Sequence, residues 1–148
     1  MATYDQLPVY KKAYDFLLDV YKMCQNMERD YKFSIGEDLK KEVRQLLKNV
    51  YHANRVEDKL GFILAARENV EDIRLSLRVL HDLQKIQTPQ FVDRNEKLED
   101  VSKQLAAWYK HKKQNTSSTA VDEESKKRLK GESRGGGFEK DLFSESAD

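Results

Sequence analysis

The feature that most constrains the fold of this chain is the recurrence of apolar residues every three or four positions along residues 8–112. A period near 3.6 residues is that of an amphipathic helix, whereas a half-buried strand alternates at every second residue. The chain has only two prolines, Pro8 and Pro89, and neither interrupts an apolar run. The sequence therefore predicts an all-α fold.

Four helices are predicted from these apolar stripes and from residues typical of helix starts. Pro8 and Thr88-Pro89 suit a first turn, where the N–H that proline lacks has no helical partner. Ser34 and Glu37 match the S-x-x-E capping box, in which both side chains bond free N–H groups at a helix start. Long helices joined by short loops favour an antiparallel up-down-up-down four-helix bundle. The expected ranges are about 8–29, 34–54, 56–86 and 88–112.

The composition changes after Lys113. Residues 1–113 hold 21 Lys and Arg against 18 Asp and Glu, a net charge of +3, whereas residues 114–148 hold 6 against 8, a net charge of −2. The second segment has few large apolar residues and a glycine-rich centre, so it cannot bury enough surface to offset its ordering entropy. We therefore predict a bundle domain over 1–113 and a disordered polar tail over 114–148.

The sequence patterns do not indicate an enzyme. No histidine has a glutamate three residues before it, as a di-iron bundle requires, and no glycine-rich phosphate loop with its lysine is present. Cys24 is the single cysteine and lies in an apolar stripe, which favours a core residue. We expect no catalytic residue, metal or cofactor. The absence of an apolar membrane span or signal-peptide pattern predicts a cytoplasmic location.

Two rows of basic residues are the candidate binding surfaces. Helical spacing places the members of each row along one side of a helix. Such a row can match the repeating charges of a nucleic-acid backbone, because each arginine can bind a phosphate with two hydrogen bonds. Acidic neighbours could equally neutralise both rows, and spacing alone leaves the two possibilities open. The third helix carries Arg67, Arg74, Arg78 and Lys85, and the second carries Lys41, Arg44, Lys48 and Arg55, with Lys40 beside them.

The third helix also has apolar residues on two sides, which predicts two packing contacts. One side would face the bundle core, and the other would make a second contact. Tyr14 and Tyr21 edge the stripe of the first helix, where tyrosines either lie in a core or subunit boundary or stack on unpaired bases. The residues predicted for the oligomer interface are Leu64, Leu75, Val79, Ile86, Tyr14 and Tyr21.

Gly36 lies near the start of the second helix, although glycine costs about 1 kcal/mol relative to alanine in a helix interior. Glu37 and Asp38 beside it would repel an anion and themselves complement the helix dipole. We interpret Gly36 as a packing residue that lets the incoming loop with Tyr31 and Phe33 lie close to the helix.

Three stretches carry a resemblance to a known family: LPVYKKAYDFLLDVYKM, YKFSIGEDLKKEVRQLLKNVYHAN and RLSLRVLHDL. Over about residues 6–112 the chain resembles the bacterial four-helix-bundle family that includes the 23S ribosomal RNA intervening-sequence proteins. It looks most like the branch of accessory variability determinant proteins of diversity-generating retroelements. Gly36, Leu39 and Ala53-Asn54 carry the most specific part, and NVYHANRVEDK departs from the corresponding stretch of the intervening-sequence branch.

The resemblance implies a non-enzymatic, homopentameric, basic scaffold. Such a protein would bind the reverse transcriptase of the retroelement and RNA or DNA during mutagenic copying of a template RNA. The alternative is a ribosome- or rRNA-associated protein of the intervening-sequence branch, without a polymerase partner. The acidic tail is not a feature that the resemblance implies.

Overall fold

The computed structural model describes the backbone of residues 7–129 and the side chains of residues 7–115. Within that range the chain is entirely helical apart from its connections, which confirms the all-α prediction. The chain divides into two units between Lys112 and Lys113, and the helical bundle lies in the first. The helices are α1 (Pro8–Gln25), the single-turn α2 (Arg29–Lys32), α3 (Ile35–Arg55), α4 (Leu60–Asp82) and α5 (Thr88–Leu129).

The four long helices pack antiparallel to their neighbours, as predicted. Along α1 and α5, for example, Lys12 pairs with Asp100, and Asp19 pairs with the earlier Lys97. The same reversal relates α4 to α5 and α3 to α4, so the chain runs up, down, up and down. The contacts that join neighbouring helices include Tyr21–Arg44, His52–Phe62, Arg74–Glu99 and His81–Phe91.

One apolar stripe from each long helix forms the core. Cys24 is part of this core, and burial raises the pKa of its thiol, so that the side chain stays neutral and packs as a small apolar residue, as predicted. The fully buried large residues include Phe16 and Val20 of α1, Leu39 and Leu46 of α3, Ile73 and Leu77 of α4, and Leu98 and Leu105 of α5.

A buried polar contact fixes α3 against α4. The Asn49 amide donates to the Asn69 side-chain oxygen at 2.6 Å, and the Asn69 amide donates to the Glu42 carboxylate at 3.1 Å. A buried amide without a partner costs about 1–3 kcal/mol, so the two asparagines stabilise the alignment that satisfies both. The contact therefore sets the register between the two helices.

Lys59 satisfies the free carbonyl groups where α3 ends. Its ammonium donates to the carbonyl oxygens of Ala53 and Val56, both at 2.7 Å, and of Asn54 at 3.3 Å. The last carbonyls of a helix have no intrahelical donor, and a cation there also complements the helix dipole. Burial lowers the pKa of Lys59, and the nearby charge of Lys112 lowers it further.

The predicted capping box at the start of α3 is wrong. Ser34 is the N-cap residue, but its hydroxyl donates back to the Asp30 carbonyl at 2.5 Å, and Glu37 pairs with Lys40 instead. The backbone of Ser34, with φ −118° and ψ −94°, lacks the extended conformation that aims an N-cap side chain along the helix. The turn of α2 immediately before it accounts for this conformation.

The predicted end of the third helix is also wrong, because α4 ends at Asp82. The Lys85 N–H donates to the Leu80 carbonyl at 2.8 Å and the Gln84 N–H to the His81 carbonyl at 2.9 Å, which is the Schellman pattern. Gln84 adopts the left-handed φ of 60° that this pattern needs. Glycine usually occupies this position, so a glutamine there does not signal the end of a helix.

The other helix boundaries differ from the sequence prediction in three places. The third helix begins at Leu60 rather than at about 56, after the connection that contains Lys59. The first helix ends at Gln25 rather than near 29, and α2 fills part of the connection. The last helix continues to Leu129, past the predicted end near 112, because residues 113–129 contain no glycine or proline to interrupt it. The part of the tail prediction that concerns residues 130–148 lies outside the described residues.

Gly36 lets the preceding loop lie close to α3, as we interpreted from the sequence. Alanine substitutions at two glycines test this close approach. A Cβ at Gly36 would lie 3.1 Å from the Tyr31 carbonyl oxygen, whereas a Cβ at Gly61 would meet nothing within 4 Å. Both are second residues of a helix, so alanine gains similar helix propensity at each. We expect Gly36→Ala to be less stable than Gly61→Ala by about 1 kcal/mol or more in urea unfolding, because the backbone must shift. Equal stabilities would contradict the close approach.

The left-handed conformation of Gln84 predicts a stabilising substitution. Glycine adopts this backbone region without the steric cost that a Cβ brings. We expect Gln84→Gly to raise the free energy of unfolding by about 0.5–1 kcal/mol, and Gln84→Ala, which removes the same side chain but keeps the Cβ, to give no gain. A thermal or urea unfolding comparison of the two variants measures the difference, and a more stable alanine variant would refute the helix end described above.

Candidate functional site

Four basic residues of α3 form an exposed row without carboxylate partners among the described side chains. We call Lys41, Arg44, Lys48 and Arg55 the α3 row; all four are exposed. None of them takes part in the ion pairs of the described side chains. The row extends about 21 Å, since its ends are fourteen positions apart at 1.5 Å per residue. The four charges therefore remain available to an anionic partner.

Tyrosines position both arginines of the α3 row. Arg44 donates to the Tyr21 hydroxyl of α1 at 2.7 Å, and Arg55 donates to the Tyr51 hydroxyl at 3.0 Å and lies over that ring. A neutral hydroxyl holds a guanidinium in place without cancelling its charge, whereas a carboxylate would cancel it. Each guanidinium keeps further N–H groups for a bound anion.

Lys40 does not lie in this exposed row, although the sequence placed it alongside. Its side chain runs between α1 and α3, leaving the residue only 9% exposed. The ammonium pairs with Glu37 at 3.1 Å and lies 4.9 Å from the centre of the Tyr21 ring. We therefore assign Lys40 to the packing of α1 on α3.

The row predicted on the third helix is neutralised at its centre. Arg74 donates to Glu71 at 2.6 Å and also to Glu99 of α5. Arg78 is more exposed and lies 3.7 Å from Asp82, a distance typical of a weak surface ion pair. On this helix, acidic neighbours therefore do neutralise basic residues of the row, which is one of the two possibilities that the spacing left open.

Arg67 and Lys85, the first and last residues of the same predicted row, contact other residues. Arg67 lies over the Tyr109 ring of α5, with its guanidinium carbon 5.3 Å from the ring centre. Lys85 follows the end of α4, so the helical wheel that aligned it with Arg78 does not apply. It pairs with Glu28 at 2.7 Å, and the hydrogen bond to that carboxylate raises the pKa of the Lys85 ammonium.

The second apolar side of α4 is exposed, except at its predicted end. Leu64 and Leu75 are 45% and 62% exposed, and Val79 is half-buried on the same side; we call these three residues the α4 patch. Ile86 does not belong to it: because α4 ends at Asp82, Ile86 turns into the core and is only 5% exposed. Three of the apolar residues predicted for an interface therefore lie on one side of α4, Leu75 and Val79 one turn apart and Leu64 about 16 Å before Leu75.

The two tyrosines predicted for that interface lie on another helix. Tyr14 is an exposed residue of α1, and Tyr21 contacts α3 through its hydroxyl. Tyr21 adjoins the α3 row through Arg44, and both tyrosines belong to α1 rather than to the helix of the α4 patch. The structure therefore separates the predicted interface residues into two surfaces.

Sequence reasoning missed Phe33 as a surface residue. It is 62% exposed, and the charged groups of Arg29 and Lys32 lie 5.9 and 5.7 Å from its ring centre. The sequence could have indicated this, because Phe33 is an aromatic residue that lies outside the apolar stripes and among charged neighbours. Cations at these distances stabilise an exposed aromatic ring modestly.

Two searches of the described residues bear on other kinds of site. In this part of the chain, no three His, Cys, Asp or Glu side chains are placed to hold a metal ion together. Over the same part, every helix is too short or too polar to cross a membrane.

Fold and surface together define a four-helix bundle that presents an uncompensated basic helix face. The chain belongs to the bAvd-like family, whose model matches residues 7–112. This range covers α1 to α4 and the part of α5 that packs in the bundle, and it confirms the resemblance drawn from the sequence. The family is one of non-catalytic accessory proteins. A search of curated proteins found no match to the chain.

Charge reversal should affect the two basic rows differently. Arg74→Glu removes two ion pairs and places a third carboxylate beside Glu71 and Glu99. We expect it to lower the free energy of unfolding by about 1–2 kcal/mol, whereas Lys48→Glu, which has no ion pair to lose, should change it by less than about 0.5 kcal/mol. Urea unfolding at low salt measures both, and equal losses would contradict the ion pairs assigned to Arg74.

Proposed function

We propose that this protein is an accessory protein of a diversity-generating retroelement. In this role it is a cytoplasmic homopentameric scaffold that binds the reverse transcriptase of the element and RNA or DNA during mutagenic copying. Membership of the bAvd-like family supports this function over the ribosome-associated alternative. The observation that carries the nucleic-acid part is the α3 row, whose four charges have no carboxylate partner among the described residues.

A row of free cations suits the phosphate backbone of a nucleic acid. Cations that neutralise phosphates release condensed counterions, so binding weakens linearly in log salt by about 0.7–0.9 for each phosphate contacted. Four contacts would give a slope of about −3 for each protomer. In a ring of five copies the bundles, residues 1–113, would together carry +15 and the whole chains +5, and the positive charge of the bundles attracts a polyanion.

The α4 patch supports an assembly of several copies. Leu64 and Leu75 lie on one side of α4 and are exposed in the single chain. The two leucines are eleven positions, about 16 Å, apart along α4, and each would lose unfavourable contact with water when another subunit covers it. We therefore propose the α4 patch as part of the subunit interface, and the α3 row as the surface left for nucleic acid or polymerase.

Paired charge reversals test the α3 row. Lys41→Glu/Lys48→Glu should weaken binding of a 20-nucleotide RNA by tenfold or more and make the salt slope shallower by about 2, since two phosphate contacts are lost. The matched control is Lys103→Glu/Lys110→Glu on α5, with the same charge change, the same spacing of seven residues and the same exposure. Fluorescence anisotropy of the full chain measures both.

The control decides how the result is interpreted. Equal weakening by the two double variants would mean that net charge alone attracts RNA, and no weakening by either would mean that the α3 row does not bind it. Co-purification of the reverse transcriptase with the same two variants tests the polymerase part. If the α3 variant loses RNA and keeps the polymerase, the row contacts nucleic acid only.

Light scattering tests the assembly. Five copies of the 17.4 kDa chain give about 87 kDa, which is the mass we expect for the wild type. Leu75→Glu should reduce the mass, because it buries a charge in the proposed interface, whereas Val92→Glu, at an exposed apolar position of α5, should not. A monomeric wild type would contradict the pentamer and remove the role assigned to the α4 patch.

A further inference from the structure

We propose that the surface shared by α1 and α3 binds single-stranded nucleic acid, with Tyr14 as a base-stacking residue beside the α3 row. This rests on the proposed nucleic-acid function and specifies the form of its ligand. The observation behind it is the juxtaposition of an exposed aromatic side chain on α1 with free cations on α3.

The contact between Tyr21 and Arg44 fixes which side of α1 adjoins the α3 row. Tyr14 lies seven residues before Tyr21, which on a helix is the same side within about 20° and about 10 Å further along the axis. Because α1 and α3 are antiparallel, a residue that precedes Tyr21 in α1 lies beside residues that follow Arg44 in α3. Tyr14 is therefore at about the level of Lys48 and Tyr51. Tyr14 thus flanks the middle of the row.

Tyr14 is also available to a ligand, whereas Tyr21 is engaged. The Tyr21 hydroxyl accepts from Arg44, and its ring is covered by Lys40. Tyr14 is 46% exposed and makes no polar contact with another described residue. Leu18, one turn further along α1, is similarly exposed but lies on the side of α1 opposite the core, so Tyr14 is the exposed side chain nearest the row on this helix.

This arrangement matches a single strand better than a duplex. A duplex presents phosphates but hides the faces of its bases, so it could use the α3 row and would gain nothing from Tyr14. In a single strand the bases are free to stack, and each stacked base contributes about 1–3 kcal/mol by alanine substitution in proteins of this kind. A row of cations beside an aromatic side chain therefore favours phosphates on α3 and a base on α1.

The test compares three ligands at one salt concentration by fluorescence anisotropy with the full chain. They are a 20-nucleotide single strand, the same sequence as a duplex, and a single-stranded DNA that carries abasic sites in place of its bases. The variants are Tyr14→Leu, which keeps apolar volume but removes the ring, and Tyr14→Phe, which keeps the ring. Thermal unfolding and light scattering of each variant verify the fold and mass.

We expect Tyr14→Leu to weaken binding of the single strand by about fivefold or more, the equivalent of one stacked base, and to leave duplex and abasic binding within twofold. Tyr14→Phe should bind as the wild type does. A wild type that prefers the duplex would overturn the proposal.

Other outcomes separate this proposal from the function on which it rests. If Tyr14→Leu binds the single strand normally while Lys41→Glu/Lys48→Glu does not, the stacking role is wrong and the nucleic-acid function stands. If neither variant weakens binding, the stacking role of Tyr14 and the nucleic-acid function of the α3 row are both wrong. If Tyr14→Leu weakens all three ligands equally and lowers the mass, Tyr14 belongs to a subunit interface and the proposal is overturned.

Discussion

The structure depends on the burial of one apolar stripe from each long helix in a single core. In a folded protein, the packing of an amphipathic helix's apolar face provides most of the stability of that helix. The close approach at Gly36 belongs to this constraint, because a Cβ there would also lie 3.6 Å from Cys24 in the core. It holds the end of α1 against the start of α3, and the contact between Tyr21 and Arg44 follows two turns later. Core packing thereby positions the surface to which we assign function.

Ion pairing determines which of the two basic rows has charges available to bind phosphates. Both rows have similar spacing, and both are on outward sides of helices. Arg74 faces Glu99 of the neighbouring helix, whereas Arg44 faces the Tyr21 hydroxyl. A carboxylate cancels the charge that a phosphate would use, and a hydroxyl does not. The difference between the rows therefore lies in the helices beside them, and it supports the α3 row as the nucleic-acid surface.

The sequence predicted the features that depend on the spacing of residues along a helix. It did not predict the features that depend on contacts between residues far apart in the chain. Periodic apolar residues were enough for the four long helices, the bundle and the core position of Cys24, but not for the single-turn α2. They were not enough for the end of α4, because Gln84 adopts a conformation usually reserved for glycine, and this error misplaced Lys85 and Ile86. The pairing of Arg74 with Glu99 joins residues 25 positions apart, so no spacing rule could reveal it. Likewise, exposure rather than residue type distinguishes Tyr14 from Tyr21.

The central claim is that nucleic acid covers the α3 row. Chemical acetylation of lysines in the full-length protein, with and without saturating single-stranded RNA, measures this directly at each residue by mass spectrometry. Lys41 and Lys48, like Lys103 and Lys110 on α5, are exposed and have no ion-pair partner among the described side chains, so all four should react in the free protein. We expect RNA to protect Lys41 and Lys48 and to leave Lys103 and Lys110 reactive. Protection of the α5 pair alone, or of neither pair, would contradict the assignment of the α3 row.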